Sequence, residues 1–336
     1  MTVDTANTAT SRMALEEILH AYRLSQVLIT ATELGVFEAL HAGPLSRSEV
    51  AERCGADPVR LGPLCDALVA MDLLREGPDG CAPGPLAQAH LMPDAPSSLV
   101  RWVRSEAGTM PDFAGLTQAL SAPGRARDGA PGEVSRPQQS GLADIARDNA
   151  ASVATAVDAL IPGGRGRLLD AGGGHGVYSV DLVSTLPGWT AVVADRPCAL
   201  EVAAATIEAA GVGDRVSTRE ADLLEGGLGK DFDLAFLFMV LCGYAHEESL
   251  RVVRNIRDAL RPGGWLLIRA FYWRDPLEEA MFSLKHLLHP DGAPALTRAQ
   301  AVDLLAEAGF TEIHLLDEAG AEPGSLLAAR RPEATR

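Results

Sequence analysis

The sequence predicts an α/β protein, a doubly wound parallel sheet in the C-terminal half preceded by a smaller, mostly helical winged-helix domain. Three observations carry this. The run Arg167-Leu168-Leu169 ends in Asp170 and a glycine turn, Ala171-Gly172-Gly173-Gly174-His175-Gly176, after which helical spacing resumes at Val177. From there strand-length apolar runs alternate with helix-length runs, the pattern of parallel βα units. Ahead of it, successive helical patterns and Gly77-Pro78-Asp79-Gly80 give the helix, helix, helix, hairpin order of a winged helix.

Taken in order, residues 1–11 are polar and read as a frayed end. Residues 13–34 form one helical pattern whose apolar positions, Leu15, Ile18, Leu19, Tyr22, Leu24 and Val27 among them, cover much of the circumference. Such a helix should be buried on more than one side, against a second subunit or within the chain. Ser46-Arg47-Ser48-Glu49 is a capping box opening a short helix to Cys54, and Asp57-Pro58 joins an N-cap to a proline at the first helical position of the next. Residues 121–140 are rich in Pro, Gly, Arg and Ser and read as loop, and helical pattern resumes from Leu142 to Leu160. Beyond the glycine turn, residues 190–195, 215–220, 232–238 and 265–271 read as strands, the third almost continuously apolar as a buried parallel strand should be. Helices at 199–210, 247–260, 277–288 and 298–308 separate or follow them, with Gly211, Pro262-Gly263-Gly264 and Gly309 as stops. Residues 313–316 and 325–329 could pair as a closing hairpin. The expected division is a winged-helix dimerisation domain over 1–100, a helical linker and substrate-lid region over 101–160 and a cofactor-binding catalytic domain over 161–336.

Composition narrows the function. The formal charge of −16 argues against nucleic acid or an anionic membrane as partner. Residues 1–100 hold six arginines, no lysine and thirteen acids, and the helix in the recognition position has Arg60 as its only base. A winged helix so charged cannot make the phosphate contacts that DNA binding needs, so a dimerisation and lid role is expected instead. No apolar run approaches the ~20 residues that span a bilayer. Cysteines 54, 65, 81, 198 and 242 are scattered with no CxxC pair, which reads as reduced thiols in a cytoplasm. The first residues lack the basic and apolar regions of a signal peptide, an expectation that again points to the cytoplasm.

A glycine turn between a strand and a helix suits either a dinucleotide or S-adenosylmethionine, and Asp195 at the end of the second strand fits the ribose hydroxyls of both. Gly172-x-Gly174-x-Gly176 is not the GxGxxG of dinucleotide folds, since position 177 is Val. Asp222, after a third strand, can accept from an adenine amino group. With the Arg261-Pro262-Gly263-Gly264 turn and the terminal hairpin it favours S-adenosylmethionine.

These segments resemble the class I S-adenosylmethionine-dependent small-molecule O-methyltransferases that carry an N-terminal winged-helix dimerisation domain on a Rossmann-like sheet. The resemblance runs over about residues 12–330 and rests on Leu168 to Gly176, Asp195-Arg196-Pro197, Ala221-Asp222-Leu223-Leu224, Asn255 to Gly264 and Ala308-Gly309-Phe310. It implies a homodimer and a small, aromatic, antibiotic-type acceptor. It places the cofactor on Asp170, Gly172, Gly174, Asp195, Arg196, Asp222, Leu223, Phe238 and Met239.

The chain departs from that family where the chemistry lies. The family's catalytic His falls on Cys242 in Val240-Leu241-Cys242-Gly243-Tyr244, and its two supporting acids fall on Ala270 and Gln300. A phenol titrates near ~10, and a placed base is worth on the order of 10²–10⁴ in rate. The Cys242 thiol could serve if Arg269 lowered its pKa; otherwise it is a small residue filling the space of the His. His246, His286 and His289 are alternative bases, or with Cys242 a metal site. C- or N-methylation, an unusual O-methylation and a non-methylating reaction on the same cofactor all remain open at this point.

Overall fold

The computed structural model describes residues 12–121, 135–242, 244–270, 273, 275–288, 294–316 and 326–334, and it divides into two compact units, residues 1–108 and 109–336. In the first unit, α1 (Arg12–Glu33) and α2 (Val36–Ala39) precede α3 (Arg47–Arg53) and α4 (Pro58–Ala70). The hairpin β1 (Leu74–Gly77) and β2 (Gly80–Pro83) follows, then α5 (Pro85–His90) and α6 (Val100–Glu106). The capping box at Ser46 and the Asp57 cap form as expected, Asp57 Oδ1 accepting from the N–H groups of Val59 and Arg60. Arg47 ties the wing to the helices, with Nη2 at 2.6 Å from Glu76 and Nη1 at 2.7 Å from Asp66. Only the C-terminal part of α1 is buried, at Ile29, Ala31 and Thr32. Met13, Leu15, Ile18, Leu19, Tyr22 and Leu24 are exposed in the single chain.

The second unit begins with α7 (Met110–Ala114), α8 (Leu116–Ser121) and α9 (Arg136–Leu160). The doubly wound sheet then follows as β3 (Arg165–Ala171), α10 (Val177–Thr185), β4 (Gly188–Asp195), α11 (Pro197–Ala210), β5 (Val216–Glu220), β6 (Phe232–Phe238), α12 (His246–Ala259) and β7 (Leu260–Arg269). After α13 (Pro276–Leu287) and α14 (Arg298–Glu307), β8 (Thr311–Leu315) and β9 (Leu326–Arg330) pair antiparallel. The strand order is β5-β4-β3-β6-β7-β9-β8, with every pair from β5 to β7 parallel. The order reverses between β3 and β6, and an open α/β sheet binds ligands at that switch point, beyond the strands' C-terminal ends.

Two apolar layers cover the sheet. Val153 and Val157 of α9 pack with Leu182 and Val183 of α10 and Ile207 of α11 on one face, and Val252 and Ile256 of α12 with Leu304 and Leu305 of α14 on the other. Side chains alternate along each strand, so Leu267 joins the first layer while Leu266, Ile268 and Ala270 join the second. One boundary differs from the sequence expectation. Helix α12 stops at Ala259, and Leu260 already pairs with Phe232, so Pro262-Gly263-Gly264 lies inside β7. An ion pair from Arg261 to Asp233 at 2.6 Å and the bond from Gly263 N–H to Arg331 O hold that irregular start.

Candidate cofactor and acceptor site

The glycine turn leaves the C-terminal end of β3 beside the ends of β4 and β6. Gly172 N–H donates to Ala194 O at 2.8 Å, which locks the turn to β4. Gly172 has φ +71°, and a Cβ there would meet Val240 Cγ2 at 2.5 Å, so only glycine allows the loop after β6 to close over the turn. Gly174 has φ +45°, and a Cβ there would meet Gln139 Oε1 at 2.5 Å. His175 Nδ1 accepts from Val177 N–H at 3.2 Å, leaving the ring proton on Nε2. Burial and then the charge of Arg147 push this imidazole down to about 4, so it is neutral at physiological pH.

Two carboxylates frame the turn. Asp195 accepts from Gly174 N–H at 2.9 Å through Oδ2 and from Arg196 N–H at 2.7 Å through Oδ1. Its pKa is raised by burial, which these two bonds oppose. Asp170 is 2% exposed and accepts from Ser179 Oγ at 2.7 Å. Burial pushes it up to about 7, with the charge of Asp195 acting in the same direction. Asp222 follows β5, exposed, with Oδ1 accepting from Leu224 N–H at 2.8 Å, and Leu223 is buried beside it. Two desolvated acids with no cation among the groups acting on Asp170 suit a ligand that brings a positive charge and hydroxyl donors. A sulfonium with an α-ammonium and a ribose diol is such a ligand, so these residues fit S-adenosylmethionine.

The other wall forms where β6 and β7 end. Phe238 lies edge-on to Tyr178, with ring centroids 4.9 Å apart, and stacks on Phe236 at 4.5 Å. Met239 is left-handed, φ +59°, a rare state for a side-chain-bearing residue. Both its backbone groups are held, its N–H donating to Arg269 O at 2.9 Å and its carbonyl accepting from Cys242 Sγ at 2.9 Å. Cys242, Met239, Phe282 and Leu296 each pack against the α12 and α14 layer, to which Ala270 also belongs.

The candidate bases end up in different places. Desolvation pushes the Cys242 thiol up to about 12, and the cation that opposes this is Lys285. The expected lowering by Arg269 is therefore corrected: Arg269 alternates with Ala270 along β7 and donates to Asn149 Oδ1 of α9 at 3.2 Å. His246 is 55% exposed and paired with Glu307 of α14 at 3.1 Å. His286 is half-buried, its ring 4.7 Å from that of Phe282. His289 lies outside the described residues. Among the described residues, no three His, Cys, Asp or Glu side chains come together as a metal site. Gln300 caps α14, its Oε1 accepting from Thr297 N–H at 2.9 Å.

The family model for the O-methyltransferase domain matches residues 128–311, more than half of the chain and all of the turn and wall just described. The chain belongs to the O-methyltransferase family. Like its relatives, this methyltransferase is S-adenosylmethionine-dependent. An O-methyltransferase dimerisation domain matches residues 16–93, ahead of the catalytic domain. The chain is 29% identical over 308 residues to 3-hydroxy-5-methyl-1-naphthoate 3-O-methyltransferase of Streptomyces sahachiroi, covering 86% of each chain. It is 28% identical to the tetracenomycin polyketide synthesis 8-O-methyl transferase of Streptomyces glaucescens, covering 94% of this chain and 96% of the other. Its fold superposes on human N-acetylserotonin methyltransferase in complex with S-adenosylmethionine at a TM-score of 0.81 and 24% identity, over 97% and 99% of the two chains. In this methyltransferase, no helix among the described residues is long and apolar enough to cross a membrane.

Several residues at this site escape a reading of the sequence. Gln139 and Asn149 lie on α9, in a stretch that shows only helical pattern. Tyr178 and Phe238 meet across sixty residues, and Arg269 reaches Asn149 across 120. Ser179 had a local signal, a hydroxyl one turn into the helix that follows Asp170.

Proposed function

We propose that this methyltransferase transfers a methyl group to a hydroxyl of a small aromatic secondary metabolite of the antibiotic type, as a cytoplasmic homodimer and without the family's acid–base set. Asp170, Gly172, Gly174, Asp195, Arg196, Asp222, Leu223, Phe238 and Met239 hold the cofactor. The bound cofactor supplies an electrophilic methyl group. Asp170 and Asp195 meet its positive and hydroxyl groups, Leu223 and Met239 border its adenine and sulfur ends, and the left-handed turn at Met239 faces the acceptor. Placement of the acceptor supplies most of the rate. The acceptor hydroxyl is acidic enough to ionise without a residue at 242, and among the candidate histidines His286 is the one on the acceptor side.

The observation that carries this reading is the contrast between the two walls. The acidic cofactor turn is complete, while the family's base position holds a thiol bonded to a carbonyl. The named substrates of the two Streptomyces relatives, a hydroxynaphthoate and a tetracenomycin polyketide, support a polycyclic phenolic acceptor. The exposed Ile18, Leu19, Tyr22 and Leu24, all inside the dimerisation-domain match, support a second copy as the partner that covers them. The test is incubation with methyl-labelled cofactor and a panel of hydroxylated naphthoates and tetracyclic phenols. Label on an acceptor oxygen is the expected result; label on carbon or nitrogen, or acceptor turnover without label, overturns it.

A further inference from the structure

Phe282 of α13 packs against the same apolar layer as Met239 and Cys242, and Lys285 is the cation that acts on the Cys242 thiol, so α13 lies beside the wall where β6 and β7 end. One face of this helix turns toward that wall. Glu279, Phe282, Ser283 and His286 recur at helical spacing and are all half-buried. Among residues 275–281, Glu279 alone is not exposed. An apolar residue would suit this face, and a carboxylate stands there instead. Its Oε1 is shut off from solvent and, among the described residues, has no hydrogen-bond partner. Buried polar atoms in folded proteins are nearly always bonded, so this oxygen calls for an explanation. Capping of the helix does not provide one. Asp275 Oδ1 already accepts from Leu277 N–H at 2.7 Å and from Glu278 N–H at 3.0 Å, and Glu279 N–H donates to Asp275 O at 3.0 Å.

A carboxylate only receives hydrogen bonds, so what it lacks is a donor. The substrate hydroxyl that is to be methylated is such a donor, and its place is at this wall. We propose that Glu279 takes the proton of the substrate's reacting hydroxyl, as the general base of methyl transfer. The O–H bond breaks, its proton passes to Oε1, and its electron pair forms the bond to the incoming methyl carbon. The electron pair of the breaking C–S bond stays on sulfur, and the proton leaves Glu279 for solvent as the product departs. The Cys242 thiol, bonded to the Met239 carbonyl, has no part in this step. The proposal deepens the reading of O-methyl transfer given above and rests on it.

Glu279→Gln tests it, because the amide keeps the shape of the side chain and removes the base. The single-turnover rate of methyl transfer is compared in variant and wild type for two substrates, the best hydroxynaphthoate of the panel and a ring-fluorinated analogue whose hydroxyl is already ionised at the assay pH. With a hydroxyl that titrates near ~10, the variant is expected to lose about a hundredfold, the low end of what a placed base contributes. The ionised analogue has no proton to give, and the variant removes a like charge from beside it, so its rate should be unchanged or higher. Calorimetry with S-adenosylhomocysteine should give wild-type affinity, which shows the fold and the cofactor turn intact. Equal losses with both substrates make Glu279 a packing or placing residue and overturn the proposal, and so does a wild-type rate with the weakly acidic substrate. Weakened binding of S-adenosylhomocysteine moves Glu279 to the cofactor side and overturns it too. A wild type that labels carbon, nitrogen or nothing overturns oxygen methylation, and this proposal with it.

Discussion

Asp170 makes the ligand-free protein sensitive to pH in a direction opposite to most carboxylates. Its pKa rises from 3.8 to about 7, chiefly through burial. A rise of about 3 units corresponds to about 4 kcal/mol at most, since each unit is worth about 1.4 kcal/mol. The folded state keeps the proton to higher pH than the unfolded chain does, so ν_N exceeds ν_U between about pH 4 and pH 7. Stability of the ligand-free protein is therefore lost as pH rises through that window and is flat above it. Asp170→Asn removes this contribution. In paired melts without ligand, the variant should equal the wild type near pH 4 and exceed it by several degrees at pH 8. S-adenosylhomocysteine, whose ammonium would neutralise Asp170, should stabilise the wild type more at pH 8 than at pH 6, and the variant far less at both. If wild type and variant show the same difference in melting temperature at every pH, Asp170 is ionised in the ligand-free fold and the reasoning fails.

Gly172→Ala should lose cofactor binding by more than tenfold in calorimetry, because a methyl group there collides with Val240 at 2.5 Å and φ is +71°. His246→Ala should leave the pH profile of kcat unchanged, since its ring is engaged with Glu307 at the surface, while His286→Ala should lower kcat by tenfold or more with the best acceptor from the panel. Leu19→Asp with Tyr22→Asp should shift the protein to a monomer in sedimentation and leave the circular dichroism of the sheet intact, since both side chains are exposed in the single chain.

The sheet and the cofactor turn were legible because local chemistry specifies them. Apolar runs ending in Asp170 and Asp195, glycines with positive φ, and the capping residues Ser46, Asp57 and Thr297 act within a few positions of themselves. The family resemblance added the order of the parts and the cofactor. What local pattern does not encode is which distant side chains meet. Gln139 reads as one more polar helix residue until α9 is laid against the turn. Arg269 is the cation the sequence offers for lowering the Cys242 pKa, but strand alternation turns its side chain toward Asn149. The thiol's pKa followed burial and not a neighbouring charge, and burial is settled only once α13 and the strand ends are packed together.

The bond from Cys242 to the carbonyl of Met239 bears on how this site can change. A histidine at 242 would bring back an imidazole but remove the donor that holds a left-handed residue in place. Ala270 has no polar side chain to orient such an imidazole, and Gln300 is taken up in capping α14. The side chain at 242 serves the backbone. A Cys242→His change is therefore uphill at its first step, because the backbone at Met239 loses its donor.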